Sequence, residues 1–345
     1  GGGGGADEGP ELQQNIAAAV PEAGADEGLE RAGCLHPRFA SVSALPMSRF
    51  RQALGACLPA RVNASHLLVD PDGHPVISMT RRTCPLYFLA GASVIDGSAV
   101  EFGTWAGGSS RCIAAGVNLT GKEDRFFGFD AFQPGLNAAN MKKMLALAAG
   151  NRFEAEIRRV RFAFDMRKMF LFNTQSVYPT TVAVRADFSR NLPQLQKHLG
   201  RRRLDLWTTD AAKTWAEVAN QLNAVRSFLN VGALIILGDF FYVEHDTSRL
   251  PDQIPGVYHY LVPEFLEFLA FCPGNAHGFF GLKQHLPSLN PKLAPAATLG
   301  KEYWKAVHAK ALADLSRVYS AGRLPNCTNQ SFTQRQVDAI FADWV

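Results

Sequence analysis

Residues 99–117 combine a short apolar run, a glycine-rich loop and a helix-compatible stretch, and this combination restricts the fold more than any other feature. The run AVEF stops at Gly103, the loop GTWAGGSS follows, and RCIAAGV continues after two serines that can cap a helix. A strand that enters a helix through glycines suits a backbone that approaches a ligand closely. The sequence therefore predicts a strand, loop and helix unit at this point.

Four further apolar runs follow, separated by helix-compatible stretches. They are RFFGF before Asp130, TVAVRADF at 181–188, RLDLWTT at 203–209 and ALIIL before Gly238 and Asp239. Strands that alternate with helices predict an α/β fold, a parallel sheet with helices on both faces. In such a sheet the ligand lies beyond the carboxyl ends of the strands. The glycine loop and the acids that end the strands are therefore expected to meet there.

One apolar stripe marks a helix between the last two of these runs. The stripe consists of Trp215, Val218, Leu222, Val225 and Leu229. Its spacing of three and four residues is typical of a helix packed on a core. The helix separates Asp210 from Asp239 by 29 residues, so both acids are expected at the same edge of the sheet.

The residue types around the loop indicate which nucleotide it binds. Asp130 ends its strand 23 residues after Gly107, where an acid can accept hydrogen bonds from ribose hydroxyls. A nicotinamide site needs G-x-G-x-x-G, whereas this loop reads G-T-W-A-G-G after Glu101. An acid before the loop repels a pyrophosphate and suits a cationic ligand that carries an amino acid. The loop therefore favours S-adenosylmethionine over NAD.

These residues resemble the class I S-adenosylmethionine-dependent methyltransferases, and among them the macrocin O-methyltransferase (TylF-like) family. The resembling strings are VEFGTWAGGSS at 100–110, FFGFDAFQPGL at 126–136, VAVRADFSRNLP at 182–193, DLWTTDAAKTW at 205–215 and VGALIILGDFF at 231–241, continued by PGVYHYLVPEFLEFL. The resemblance implies a Rossmann-like fold: a mostly parallel seven-stranded sheet with N- and C-terminal helical additions.

The resemblance also implies a set of cofactor contacts. Glu101, Gly103 and Gly107 would shape the methionine end, Asp130 would bind the ribose, and Asp187 and Phe188 would lie near the adenine. The full implied set is Glu101, Gly103, Trp105, Gly107, Ser109, Asp130, Ala131, Asp187, Phe188 and Asp210, with Ser110 as an alternative to Ser109. Two alternatives stay open: Glu101 could serve as a helix cap or loop ion pair, and Asp187 as a local cap.

The family's magnesium site is only partly present. Relatives carry Asp-x-Asp after the fourth strand and Asp-Asp after the fifth, whereas this chain has Asp210, Ala211, Ala212 and then Gly238, Asp239. Magnesium is commonly held by one or two carboxylates together with water, so Asp210 and Asp239 could still bind it. The alternative is that Asp210 caps the following helix and Asp239 merely ends a strand.

Methyl transfer to a hydroxyl profits from a base near the acceptor. The candidate catalytic residues are Asp210, Asp239 and His245, with Lys213 as a further candidate. His245 has a suitable unperturbed pKa, although a solvated loop histidine is the plainer interpretation. The long connection 139–179 interleaves aromatic and basic side chains, so it could form a lid over the acceptor or an ordinary amphipathic helix.

Composition and charge divide the chain into four parts. The net charge of +4 hides −6 on residues 1–33 and +10 on the rest. We expect a disordered acidic, glycine-rich leader at 1–33, a helical preface at 34–95, the methyltransferase domain at 96–290 and a helical extension at 291–345. The C-terminal helices could cover the preface or join two copies.

The remaining features concern location and partners. The six cysteines form no CxxC pair or zinc-like cluster, which predicts free thiols in a reducing cytoplasm. No apolar stretch is long enough to span a membrane. The basic run at 201–203 has no RNA-binding module beside it, so we expect a small-molecule acceptor, no nucleic acid and no membrane partner.

The sequence as a whole predicts an S-adenosylmethionine-dependent methyltransferase. Its expected reaction is O-methylation of a sugar-like or natural-product hydroxyl. The alternative is a catalytically degenerate protein that keeps the fold in a regulatory or binding role, because two acids of the metal site are replaced.

Removal of residues 1–33 tests the assignment of the leader. These residues carry only four large aliphatic side chains, too few to bury a core. We expect the shortened chain to melt at the same temperature as the full chain in a calorimetric scan. A large fall would show instead that the segment docks on the rest of the protein.

Overall fold

The structure is a computed structural model, and it describes most of the chain between residues 45 and 292. The described residues are 45–56, 64–76, 83–133, 138–188, 195–212, 214–238, 240, 253–262, 264–272, 277–292, 306, 307, 310 and 313.

Strands and helices alternate through this part of the chain. The strands are β1 Ser98–Phe102, β2 Phe126–Asp130, β3 Val182–Arg185, β4 Leu204–Thr209, β5 Leu229–Leu237, β6 Leu266–Cys272 and β7 His277–Leu282. The helices are α1 Pro46–Ala56, α2 Cys84–Ala92, α3 Gly108–Asn118, α4 Ala138–Leu147, α5 Glu154–Val160, α6 Met166–Gln175, α7 Leu195–Leu199, α8 Trp215–Val225 and α9 Gln253–Tyr260, with 3₁₀ turns at Ser65–Leu68 and Arg161–Ala163.

The strands form one seven-stranded sheet in the order β3-β2-β1-β4-β5-β7-β6. β1 pairs in parallel with β2 and β4, and β5 joins β4 in parallel. β7 is antiparallel to both of its neighbours, β5 and β6. This is the mostly parallel seven-stranded sheet of a class I methyltransferase fold, and it confirms the predicted fold class.

Helices cover both faces of the sheet because successive side chains of each strand point to opposite sides. Ala99 of β1 belongs to the core beneath α2, α3 and α6, whereas Val100 and Phe102 belong to the core beneath α7, α8 and α9. The predicted stripe of α8 is buried as expected, except that Leu229 lies in β5 and not in the helix. The apolar stripe of the helix therefore ends at Val225, because Leu229 is the first residue of the next strand.

The backbones of α2 and α3 touch where two glycines meet. A Cβ on Gly116 would lie 2.1 Å from the carbonyl oxygen of Phe88, and one on Gly91 would lie 2.1 Å from that of Ile113. Since neither glycine has a side chain, the two helices cross closer than ordinary side chains permit.

The same pair of helices carries a disulfide between Cys84 and Cys112, whose Cα atoms are 5.5 Å apart. This corrects the prediction of free thiols. The two residues are 28 positions apart in the chain, so no local motif revealed them, and the close helix crossing brings them together. Both cysteines are fully buried.

The segment 139–179 is not a simple lid. Phe164, Met166, Met169 and Phe170 are buried in the core. A Cβ on Gly128 of β2 would lie 2.4 Å from the ring of Phe170, so α6 packs directly on the sheet. The segment therefore builds the layer that supports the glycine loop.

Several basic side chains of this segment have acidic partners. Arg152 pairs with Asp72, Lys168 with Glu156, and Arg158 with Glu154. These surface ion pairs account for the basic character that suggested an anionic acceptor, since such pairs are common on solvated helices.

The outer parts of the chain are described only partly. The preface holds the expected helix, α1, and the expected turn, in which Asp70 accepts the backbone N–H groups of Asp72 and His74. Residues 306, 307, 310 and 313 are helical, and Val307 packs on the core beneath α8. The leader and the final predicted helix lie outside the described residues. Within the described part of the chain, no helix is long and apolar enough to cross a bilayer.

Gly116→Ala tests the helix crossing. We expect the free energy of unfolding to fall by about 3 kcal/mol in urea denaturation, because the new methyl group would force α2 and α3 apart. Gly121→Ala is the matched control: it stands in open space with a φ of 66°, so it should lose only about 1 kcal/mol through backbone strain. Equal losses would contradict the proposed close contact.

Candidate functional site

The loop after β1 turns sharply at two glycines. Gly103 and Gly107 have φ values of 82° and 86°, a region that favours glycine. A Cβ on Gly103 would lie 2.9 Å from the backbone nitrogen of Ala211, and one on Gly107 would lie 3.2 Å from the ring of Phe170. The loop is therefore wedged between the end of β4 and α6.

Glu101 is buried beneath this loop, with 1% of its surface exposed. The Ser109 hydroxyl donates to one carboxylate oxygen at 2.5 Å, and the Ser110 hydroxyl donates to the other. Burial raises the pKa of Glu101 to about 7, against the two serines, and the carboxylates of Asp210 and Asp130 raise it further. Near neutral pH, Glu101 can thus hold or release a proton.

The sequence suggested that the two serines cap α3. In the structure they do not. The N-cap residue is Gly107, in the left-handed conformation and with no side-chain cap. The serines lie in the first turn of the helix, where their hydroxyls reach back to Glu101. The alternative that Glu101 is itself a helix cap or an ion pair is not what the structure shows, since its partners are these two hydroxyls.

Asp130 joins the loop to the turn after β2. One carboxylate oxygen accepts the backbone N–H of Trp105 at 2.9 Å, and the other accepts that of Phe132 at 2.6 Å. Burial raises the pKa of Asp130, although these two backbone donors, the Arg185 charge and the backbone N–H of Thr104 oppose the shift. Sequence reasoning missed Phe132 and the left-handed backbone at Trp105, because non-glycine residues rarely adopt it.

The residues expected near the adenine lie beside Asp130. Arg185 at the end of β3 donates to the carbonyl oxygen of Ala131 at 2.9 Å and also contacts Asp165. Phe188 packs against Phe102 at the end of β1, with ring centroids 4.9 Å apart. Asp187 is exposed beside it. The structure thus brings the β1, β2 and β3 members of the predicted cofactor set to one edge.

The ends of β4 and β5 meet at Asp210. Its backbone N–H donates to the carbonyl oxygen of Phe102, and a Cβ on Gly238 would lie 2.7 Å from its Oδ1. Asp210 does not cap α8, because Thr214 and Glu217 form a capping box there. That finding corrects one of the two alternatives for Asp210.

The other acceptor-side candidates lie outside the described residues. These are Lys213, Asp239 and His245. Within the described part of the chain, no group of three His, Cys, Asp or Glu side chains is placed to hold a metal ion. The magnesium prediction therefore gains no support, and we derive no step through a metal.

The residues present do fit S-adenosylmethionine. Two glycines in the left-handed region let the loop turn tightly against β4 and α6, and a buried carboxylate lies under it. The buried hydroxyl oxygen of Thr104, in the same loop, has no hydrogen-bond partner among the described residues. A buried polar atom of this kind is a free contact for a ligand. Carboxylates suit both a cationic amino acid and ribose hydroxyls.

Glu101→Gln tests the shifted pKa. The pKa of Glu101 in the folded protein, about 7, lies above its ordinary value of 4.5, so the folded protein retains a proton that the unfolded chain releases. The stability of the wild type should therefore fall by about 3 kcal/mol as the pH rises through this window, and level off above it. In Glu101→Gln, the free energy of unfolding should not show this fall when it is measured by urea denaturation at a series of pH values.

The matched control is Glu264→Gln, which alters an exposed glutamate. It should keep the fall seen in the wild type. If Glu101→Gln kept it as well, Glu101 would not be the group that titrates.

Comparison with known proteins agrees with the geometry. Residues 100–240, less than half of the chain, match the family model described as a methyltransferase domain. This segment runs from β1 to just beyond β5 and contains Glu101, the glycine loop and Asp130. No curated protein matches the chain.

Solved structures similar to this chain are methyltransferases of low identity. The apo structure of CalS11, a TDP-rhamnose 3'-O-methyltransferase of calicheamicin biosynthesis, is 17% identical, with 78% of this chain and 99% of that chain covered and a TM-score of 0.35. The O-methyltransferase NovP is 14% identical, with coverage of 69% and 100% and a TM-score of 0.41.

TomG from Streptomyces achromogenes, in complex with S-adenosylmethionine, is 13% identical, with coverage of 78% and 94% and a TM-score of 0.37. Likenesses of this size carry no argument about activity, so the assignment rests on the strand order and the family match. On those grounds residues 100–240 are similar to a methyltransferase domain, and the described sheet has the strand order of the class I methyltransferase fold.

Proposed function

We propose that the chain transfers a methyl group from S-adenosylmethionine to a hydroxyl of a small molecule, such as a sugar or a natural product. The observation that carries the proposal is the convergence of two carboxylates, the buried Glu101 and the half-buried Asp130, on one glycine loop. Its finer assignment, to the macrocin O-methyltransferase (TylF-like) group, is supported by the motif strings of β1 to β5 and is part of the proposal.

Each carboxylate has a distinct task in this proposal. Bound S-adenosylmethionine supplies a methyl group activated by a sulfonium centre. Glu101, in its charged form, holds the cationic amino-acid end beneath the loop. Asp130 accepts hydrogen bonds from ribose hydroxyls, because a carboxylate has about four lone-pair sites and the backbone donors of Trp105, Phe132 and Thr104 leave one open.

The acceptor is expected at the ends of β4 and β5. Asp210 is exposed there and can accept a hydrogen bond from an acceptor hydroxyl. Asp239 and His245 remain proposed catalytic residues, and either could take the proton that the hydroxyl loses. The protein's main contribution is to hold the attacking oxygen in line with the methyl group.

A magnesium ion at Asp210 and Asp239 remains a separate proposal. The two carboxylates together with water would hold the ion. If it is correct, EDTA abolishes turnover and Mg²⁺ restores it, and Asp210→Asn raises the Mg²⁺ concentration needed. Full turnover in EDTA would show that the two aspartates do not act by binding magnesium.

The competing proposal is a protein that binds the cofactor without transferring a methyl group. Replacement of family acids by Ala212 and Gly238 favours it, whereas the intact Glu101 and Asp130 favour retained cofactor binding. Binding of S-adenosylhomocysteine together with an absence of turnover on a panel of sugars, phenols and carboxylic acids would support this alternative.

Partners and organisation also remain proposals. We propose a small-molecule acceptor with no nucleic acid or membrane partner, a domain at 96–290 between the preface and the extension, and contact between copies through the C-terminal helices. The cytoplasmic location rested on free cysteines. The Cys84–Cys112 disulfide removes that ground.

Asp130→Ala tests the ribose assignment. We expect calorimetric titration to show about tenfold to a hundredfold weaker binding of S-adenosylhomocysteine, about 1–3 kcal/mol, because ribose hydroxyls would lose their acceptor. Asp130→Asn keeps one acceptor oxygen, so its affinity for S-adenosylhomocysteine should lie between those of the wild type and Asp130→Ala. NAD, titrated beside it, should not bind the wild type.

Glu123→Ala is the matched control, since Glu123 is an exposed acid before β2, at the opposite edge of the sheet. Its affinity should equal that of the wild type. Thermal melting of each variant separates a lost contact from a lost fold. Unchanged affinity in folded Asp130→Ala would rule out the ribose contact.

A further inference from the structure

We propose that Asn118 is an acceptor for an N-linked glycan and that the protein acquires its disulfide in the same oxidising compartment. The tripeptide Asn118-Leu119-Thr120 has the N-x-S/T pattern of glycan acceptors. Pattern matches of this kind occur by chance, so the proposal rests on two structural observations, the exposure of the asparagine and the buried disulfide.

Asn118 is open to an incoming sugar. It is the last residue of α3 and is exposed. Its side-chain amide has no hydrogen-bond partner among the residues that the structure describes, and the Thr120 hydroxyl donates to the carbonyl oxygen of Val117 at 2.7 Å. The neighbouring Leu119 is 50% exposed, so a glycan at this position would lie beside an uncovered apolar side chain.

The disulfide indicates the compartment independently of the tripeptide. Cys84 and Cys112 are fully buried and joined. Disulfides form and persist in oxidising compartments and are rare in the cytosol. Forming this one removes two protons and two electrons from the thiols, which a disulfide-exchange oxidant of the secretory pathway accepts. N-linked glycans are added in that same pathway.

A glycan at Asn118 leaves the cofactor site free. α3 begins at Gly108 beside the glycine loop and ends at Asn118, about 15 Å away at a rise of 1.5 Å per residue. The helix runs from the carboxyl edge of the sheet to the opposite edge. The modification is therefore compatible with the proposed methyl transfer and does not depend on it.

The modification itself is a glycosyl transfer. The Asn118 side-chain nitrogen forms a bond to C1 of a lipid-linked oligosaccharide. The bond from C1 to the lipid diphosphate breaks, the diphosphate leaves, and the amide loses one proton. Asn63, Asn326 and Asn329 share the sequence pattern but lie outside the described residues, so they carry no part of the proposal.

One tryptic peptide reports both features. Cleavage after Arg111 and Lys122 gives CIAAGVNLTGK, which contains Cys112 and Asn118, and cleavage after Arg82 gives the peptide that contains Cys84. The protein from its natural source would be digested without reductant, with free thiols blocked. Glycan release by an amidase in heavy-oxygen water then marks each occupied asparagine as a labelled aspartate. We expect a cross-linked peptide pair with the label at residue 118.

Matched variants expressed in the same cells identify the modified residue. Asn118→Gln and Thr120→Ala should both remove the gel shift caused by the glycan at this position, and Thr120→Ser should retain it. A triple variant, Asn63→Gln with Asn326→Gln and Asn329→Gln, should keep the Asn118 label. An unlabelled Asn118 in the natural protein overturns the proposal, whether or not the disulfide or another asparagine is modified.

Discussion

The site depends on the carboxylate of Asp130, which joins the ends of two strands into one surface. Trp105 and Phe132 both have left-handed backbones, with φ values of 44° and 52°, and such conformations cost about 1–2 kcal/mol for residues with a side chain. Each donates its N–H to Asp130, so the carboxylate offsets strain on both sides. The two carboxylate oxygens accept hydrogen bonds from the loop backbone, and we propose that they also accept hydrogen bonds from a ligand. Because Asp130 both holds the loop and is proposed to bind the ligand, the affinity for the ligand should depend on the stability of the loop.

The sheet and half of the site were readable from the sequence because they depend on local patterns. Apolar runs that end in Glu101 and Asp130 predicted the parallel strands and the edge where the acids meet, and the structure confirms that placement. The residue types at those positions also predicted S-adenosylmethionine as the ligand. Glycines at 103 and 107 were expected to turn the loop, and their φ values show that they do.

What the sequence missed depends on contacts between distant residues. The role of Ser109 and Ser110 was misplaced, since a serine at a helix start usually caps it, and only the buried partner Glu101 redirects these hydroxyls. The disulfide joins residues whose proximity follows from a glycine crossing. The resemblance implied seven strands, but no local pattern located β6 and β7, because the runs around them alternate weakly. Contacts between residues that are far apart in the chain leave no local sequence pattern from which they could be predicted.

The position of β7 has a consequence for how the protein is made. β7 lies in space between β5 and β6, yet it is the last of the seven strands to be synthesised. Until residues 277–282 leave the ribosome, one side of β5 has no partner, and an unpaired apolar strand readily joins another chain. The family match ends at residue 240, before that strand. A nascent chain of this protein therefore has an exposed sheet edge from the end of β5 at Leu237 to the end of β7 at Leu282, and a fragment cut at residue 240 would keep that edge permanently.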